Sequence, residues 1–336
     1  MEKTGILALI GNTPLLKLNK FFKPNRFNLY AKLEMYNAAG SIKDRPAFKM
    51  LSDAFERGEI DENTTIIESS SGNTGIGLSM ICAYLGMQLI CVVDGRCTTT
   101  NRRIIEAYGG KVNMVKKPHP QKGFLGARWD RVNHLLKTIP NSFNCNQYQN
   151  LNNPLAHHET VKEIMKTLGK APDFIFCATS TCGTLRGISE FVESHSLPTK
   201  VIAVDAVGSV LFGDTPKKRL IPGHGSAAPM PLYYNGLEDQ HILVTDLDCI
   251  VGCRTMVKRE GVFAGGSSGA VISGITKLQH IIPDGADVVA IVCDRGGRYL
   301  DTVYSNEWVT EHFGNVAHLW ENKAKKTKES IEEIAL

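Results

Sequence analysis

Seven short runs rich in β-branched residues recur along the chain, each set apart from the next by a longer stretch with helical spacing. The runs are LYAKLE at 29–34, TTIIES at 64–69, QLICVV at 88–93, KVNMV at 111–115, DFIFCA at 173–178, KVIAVDA at 200–206 and DVVAIVC at 287–293. Helical patterns fall at 41–57, 74–86, 98–108, 124–138, 155–168, 183–194, 247–260 and 268–281. Strand, helix, strand at this spacing predicts an α/β fold of parallel sheets layered with helices. The chain has 336 residues, and at roughly 150 residues per domain two units are expected. The polar segment NCNQYQNLNNP at 144–154 reads as the waist between them, and 207–241, rich in Gly and Pro, as a long ordered excursion.

Composition removes several classes of function. Lys and Arg number 38 against 34 Asp and Glu, a net +4 that is spread along the chain and predicts no nucleic-acid partner. The nine cysteines (Cys82, Cys91, Cys97, Cys145, Cys177, Cys182, Cys249, Cys253, Cys293) are odd in number and never spaced C-x-x-C. Neither a disulfide framework nor a zinc ribbon is expected, and a reducing cytoplasm is. The opening residues MEKTGILALIGNTPLL lack the apolar core of a secretory signal. Eighteen uncharged residues, Ile76 to Val93, approach the length of a membrane span, but Gly86 and Gln88 divide them into a helix-like and a β-rich piece. No membrane partner is expected. His157-His158-Glu159 reads as a solvated helix start rather than a metal site, and the tail 321–336, with KAKKTKESIEEI at 323–334, as a charged helix or frayed end.

Four loops combine glycine, small hydroxyls and a following helix: AAGSIKDR (38–45), SSSGNTGIG (69–77), STCGTLRG (180–187) and FAGGSSGA (263–270). Amides freed at a helix start, with glycine allowing close approach, make an anion site. Four such loops at the carboxyl ends of strands predict a shared pocket. Lys43 stands in one of them, where the helix dipole and Arg45 are expected to disfavour a protonated amine and lower its pKa. Such an amine can form a Schiff base, and with separate anion loops it points to an aldehyde cofactor that carries a phosphate. A competing reading comes from Gly265-Gly266-Ser267-Ser268-Gly269, which satisfies the nucleophile elbow of a serine hydrolase; Asp287, Asp294 or Asp301 and then His312 or His318 follow in the required order.

The chain resembles the fold-type II pyridoxal-phosphate enzymes of the cysteine synthase and cystathionine β-synthase family. The resemblance runs from about residue 5 to 313 through Ile10-Gly11-Asn12-Thr13-Pro14-Leu15, Lys32-Leu33-Glu34, Gly40-Ser41-x-Lys43-Asp44-Arg45, Ser71-Gly72-Asn73-Thr74-Gly75 and Gly261-x-Phe263-Ala264-Gly265-x-Ser267-Ser268-Gly269. It implies two α/β/α domains of the tryptophan synthase β type. A smaller mobile domain would take 40–150 with 1–11, and a larger one 151–320 with strands from 12–36. By resemblance Lys43 carries pyridoxal 5'-phosphate as a Schiff base, Asn73 bonds its ring oxygen, Ser180, Thr181, Cys182, Gly183 and Thr184 cradle its phosphate, and Ser267 meets the pyridine nitrogen. Ser70, Ser71, Gly72, Asn73 and Thr74 with Gln147 would clamp the substrate carboxylate, and Lys43 would move the α-proton on the way to an α-aminoacrylate. A homodimer is also implied, and neither a regulatory domain nor a haem-binding extension is read.

Departures narrow the branch. Ser180-Thr181-Cys182-Gly183-Thr184 replaces the usual glycine-rich phosphate loop, and Tyr148 follows Gln147 where a phenylalanine is usual. With Arg128, the 207–214 and 221–225 segments and Asp294-Arg295-Gly296-Gly297-Arg298-Tyr299-Leu300, these features are most similar to the N-(2-amino-2-carboxyethyl)-L-glutamate synthases, which supply 2,3-diaminopropionate for siderophores. That branch joins O-phospho-L-serine to L-glutamate. Two anionic substrates require cations and hydroxyls, and Arg128, Tyr148 and Ser180 are the candidates. Cys182 is expected to be inert beside the phosphate. A cysteine synthase using phosphoserine or acetylserine is the alternative.

Overall fold

A computed structural model describes residues 1–22 and 26–321; the charged segment at 323–334 lies outside them. In chain order the elements are β1 (Leu15–Lys17), β2 (Asn28–Leu33), α1 (Asp44–Glu56), β3 (Thr65–Ser69), α2 (Asn73–Leu85), β4 (Leu89–Asp94), α3 (Thr99–Ala107), β5 (Lys111–Val115), α4 (Gly123–Thr138) and β6 (Ser142–Phe143). Then come α5 (Asn152–Leu155), α6 (His158–Leu168), β7 (Phe174–Ala178), α7 (Gly183–Ser194), β8 (Lys200–Ala206), β9 (Gln240–Val244), α8 (Asp246–Glu260), α9 (Gly266–Leu278), β10 (Asp287–Val292) and α10 (Asn306–Phe313).

All seven expected strands form, and they divide into two sheets. The larger has the order β1-β2-β10-β7-β8-β9, with only β1 antiparallel; the smaller, β5-β4-β3-β6, is parallel throughout. Alternation along β10 explains the layering. Val288, Ala290 and Val292 join one core with α8 and α9 residues, while Val289 and Ile291 join another with Val161 and Ile164 of α6 and Leu185 and Ile188 of α7. A strand buried on both faces reads as a continuous apolar run, as DVVAIV does. The smaller sheet is covered in the same way by α1, α2 and α3 on one face and α4 on the other.

The eighteen uncharged residues supply most of α2 and β4, split by Gly86 in the left-handed conformation that ends the helix. Among the described residues no helix is long and apolar enough to cross a membrane. The 207–241 excursion is shorter than expected, because Gln240 and His241 already belong to edge strand β9. Segment 144–154 is held tightly: Asn144 donates to the Ile67 carbonyl at 2.6 Å, Asn153 to that of Gln147 at 2.7 Å, and Asn152 to Asp53 at 2.7 Å.

Two local devices fix the helices. Helix α8 opens with a capping box in which Thr245 accepts from the Asp248 amide and Asp248 accepts from that of Thr245. Thr245→Ala is expected to lower stability by about 1 kcal/mol in thermal or urea melts. Helix α1 is anchored by Arg45, which grips Glu34 (2.6 and 2.8 Å) and Glu163 (2.7 and 2.8 Å), while Lys32 bonds Glu163 at 2.6 Å. Two cations and two carboxylates thereby balance inside the protein, the arrangement buried charges require.

Candidate active site

The carboxyl ends of β2, β3, β7 and β10 open on one cleft lined by Ile42, Lys43, Asn73, Ala178, Ser180, Thr181, Cys182, Gly183, Thr184, Gly223, Ser267 and Cys293. All eight residues expected to contact the cofactor therefore meet in one place, although Lys43 and Ser267 are far apart in sequence.

Lys43 immediately precedes α1. Part of its side chain is reached from the cleft, and enclosure of the amine lowers its pKa. The nearby Cys293, Asp294, Cys182 and Cys177 oppose that shift without reversing it. Arg45 is not the cause, contrary to the sequence expectation, because Glu34 and Glu163 already neutralise its guanidinium. Desolvation favours the neutral, nucleophilic amine.

The Ser180 to Thr184 turn leads into α7, whose start has no side-chain cap. Helices α2 and α9 also begin at the cleft, α9 without a side-chain cap and α2 with the Asn73 and Thr74 amides left free of one. Uncapped amides and the positive helix ends favour anions there. Cys182 sits in the left-handed conformation at φ 66°, a position that favours glycine. Burial pushes its thiol up to about 12, which keeps it protonated and unreactive. His157 corrects the sequence reading: it is fully buried, not solvated, and its Nε2 lies 3.3 Å from Thr184 Oγ1. Burial holds it neutral, and no group of metal ligands forms among the described residues.

Loop 70–74 is shaped by its own side chains. Ser70 Oγ accepts from the Gly75 amide at 3.0 Å and the Gly72 amide at 3.4 Å. Thr74 donates to Gln147 Oε1 at 2.7 Å, and Gln147 Nε2 donates to the Ser69 carbonyl at 2.9 Å. Gln147 and Thr74 thus brace the loop, leaving the start of α2 to face the cleft. Asn73 donates to Asp294 Oδ2 at 2.9 Å and accepts from Arg298.

Behind this loop stands Arg128, which is buried. It donates to Ser71 Oγ at 3.2 Å and lies 3.3 Å from Asp94 Oδ2, and its charge acts on Tyr148, whose hydroxyl donates to the Ser69 carbonyl at 3.5 Å. Asp94 is shared with Arg96 at 3.0 Å, so two guanidiniums meet this carboxylate, and the buried Glu68, raised to about 7 by desolvation, also lies within reach of the Arg128 charge. Arg219, from the excursion, is close enough to Arg96 for their charges to repel. The run Lys217-Lys218-Arg219 was its only sequence signal.

The hydrolase constellation is not assembled. Ser267 lies in the first turn of α9 beside Cys293, and Asp294 is bonded to Asn73 and Tyr299. Asp287 begins β10, at the far end of that strand, and is paired with Lys170. His312 caps back onto Trp308 in α10, and no histidine bonds Ser267 or Asp294 among the described residues.

Asp44, beside the lysine, is fully buried with a pKa raised to about 7 by burial. Its value in the unfolded chain is lower, so the folded chain holds the extra proton between about pH 4 and 7. Stability is therefore greatest on the acid side of that window and falls as pH rises toward 7. Asn can keep the 2.6 Å bond from the Ala39 amide without a buried charge. Asp44→Asn is expected to match wild type in urea melts at pH 4 and to exceed it by about 2 kcal/mol at pH 8.

An enclosed amine whose pKa is lowered by burial, with no carboxylate hydrogen-bonded to it among the described residues, beside helix starts and a ring of hydroxyls, fits an aldehyde that carries a phosphate. Comparison with known proteins agrees. The model of the family described as pyridoxal-phosphate dependent enzyme matches residues 6–294. A hydrogen sulfide-producing enzyme from Fusobacterium nucleatum superposes with a TM-score of 0.82 at 32% identity, covering 88% of this chain and 99% of that one. An O-acetylserine dependent cystathionine β-synthase from Helicobacter pylori gives 0.83 at 29% identity, covering 91% and 100%. O-acetylserine sulfhydrylase isoform 3 from Entamoeba histolytica gives 0.81 at 30% identity, covering 89% and 91%.

Proposed function

The chain belongs to the pyridoxal-phosphate dependent enzyme family, and on that premise we propose that it joins O-phospho-L-serine to L-glutamate, giving N-(2-amino-2-carboxyethyl)-L-glutamate and phosphate. The coarser chemistry is β-replacement of the cysteine-synthase type. In the reaction the Cβ–O bond of phosphoserine breaks, phosphate leaves with the electron pair, and the glutamate nitrogen forms a bond to Cβ while losing a proton. The α-proton is removed and later returned.

When bound, pyridoxal phosphate supplies an electron-withdrawing ring that makes the substrate Cα–H acidic and lets the β-group depart. The protein does the rest. The start of α7 and the Ser180 to Thr184 turn hold the cofactor phosphate, and Ser267 offers a hydroxyl rather than a carboxylate at the ring side. Lys43 Nζ, its pKa lowered by burial, takes the α-proton and returns it. The amides at the start of α2 receive the substrate carboxylate. Closure of the smaller lobe over the cleft would exclude water, and a homodimer is part of this reading.

The observation that carries the phosphoserine assignment is the excess of cation behind loop 70–74. Arg96 and Arg128 share the carboxylate of Asp94, the second acid near Arg128, Glu68, is raised to about 7 by burial and so carries less than a full charge, and Ser71 and Tyr148 add hydroxyls to the same corner. A doubly charged leaving group has reason to bind there; acetate has less. L-glutamate as the nucleophile rests on the sequence resemblance. Phosphate release from phosphoserine, measured with and without glutamate, tests both: release should need glutamate. Release stimulated by sulfide and indifferent to glutamate would replace this reading with a cysteine synthase.

A further inference from the structure

Segment Cys293–Tyr299 ties three of the four cleft loops together. The Cys293 carbonyl accepts from the Ile42 amide at 2.8 Å, and the Asp294 carbonyl accepts from the Gly265 amide at 2.9 Å. Arg298 donates to the Gly40 carbonyl at 2.9 Å, and both Asp294 and Arg298 bond the side chain of Asn73. A Cβ at residue 265 would lie 2.1 Å from Asp294 Oδ1, so glycine there makes room for the carboxylate. Asp294 is completely buried, Tyr299 donates to its Oδ2 at 2.7 Å, and its Oδ1 has no hydrogen-bond partner. A buried carboxylate so expensively placed should do more than fill space.

An asparagine amide is nearly symmetric in shape, and its two ends differ only in what they donate or accept. We propose that Asp294 and Arg298 are positioning residues that fix the amide orientation of Asn73 at the cofactor ring. In the observed orientation Nδ2 meets the carboxylate and Oδ1 meets the guanidinium. Reversal would set an oxygen against Asp294 and an NH2 against Arg298, two repulsive contacts at once. Only one of the two Nδ2 hydrogens is used by Asp294, so the other is held ready as a donor into the cleft. The proposal rests on the cofactor reading above.

The test is a double-mutant cycle read by cofactor binding rather than turnover. Apoprotein is titrated with pyridoxal phosphate, and both Kd and the absorption maximum of the bound cofactor are recorded for Arg298→Met, Asn73→Ala and their combination. Arg298 is only partly buried, so its replacement should fold; Asp294→Asn and Arg298→Lys provide second variants. Arg298→Met and Asn73→Ala should each raise Kd about tenfold and shift the band the same way. Once Asn73 is alanine, Arg298→Met should change neither quantity further. Arg298→Lys, which keeps a donor for Oδ1, should recover most of the affinity. Independent, multiplicative losses in the double variant, or an unmoved band in Arg298→Met, would overturn the positioning role. Wild-type protein that takes up no pyridoxal phosphate would overturn the cofactor reading and this inference with it.

Discussion

Lys43→Ala protein is expected to lose β-replacement turnover by about a thousandfold or more and to hold its cofactor without a covalent link. The size follows from the two tasks the amine has. As a general base it contributes roughly 10²–10⁴ in rate, and as the covalent anchor it fixes the cofactor against the helix starts. Its burial means that no other cleft group can take its place: Cys182 and Cys293 are pushed up to about 12 and stay protonated, and His157 faces Thr184. Borohydride treatment followed by peptide mapping gives the direct check. The reduced cofactor should be found on Lys43 in wild type and on no lysine in the variant. Cofactor fixed to another residue with turnover retained would show that Lys43 is neither the anchor nor the base.

The second large effect concerns the donor. Arg128→Met should reduce kcat/KM for O-phospho-L-serine by about 100-fold, since removing a buried cation from a charged partner typically costs 2–5 kcal/mol, while use of O-acetyl-L-serine should change less than about fivefold. Methionine preserves much of the packing, and Asp94 keeps Arg96 as a partner, so the protein should remain folded. The ratio between the two donors separates recognition of phosphate from general damage. Equal losses with both would mean that Arg128 only props Ser71 and the loop.

Much of this architecture was legible because parallel strands buried on both faces read as uninterrupted apolar runs, and because glycine loops before helices are a local signal. The parts that were not legible share a physical reason. Strands β1 and β6 are edge strands of only three and two residues with no buried position, so they carry little hydrophobic pattern, and β9 opens on the exposed polar pair Gln240 and His241 at the end of a Gly- and Pro-rich stretch. His157 looked like a solvated residue because its burial comes from α7, a later element. Arg45 looked like a neighbour that would act on Lys43, yet its charge is consumed by Glu34 and by Glu163, 118 positions away. The pairing of Asn73 with Asp294 and Arg298 spans 221 and 225 positions. Charged residues at such separations read as surface until a fold brings them together, whereas Lys43, Asn73 and Ser267 could be found from motifs beside them.

Which nucleophile ends up bonded to Cβ decides between the two functions. Pure protein loaded with pyridoxal phosphate should be given O-phospho-L-serine together with equal concentrations of L-glutamate, L-aspartate and sulfide, and the products identified by mass. N-(2-amino-2-carboxyethyl)-L-glutamate is expected as the main product, with one phosphate released for each molecule formed. Cysteine as the main product, with the glutamate adduct absent, would contradict the proposed function.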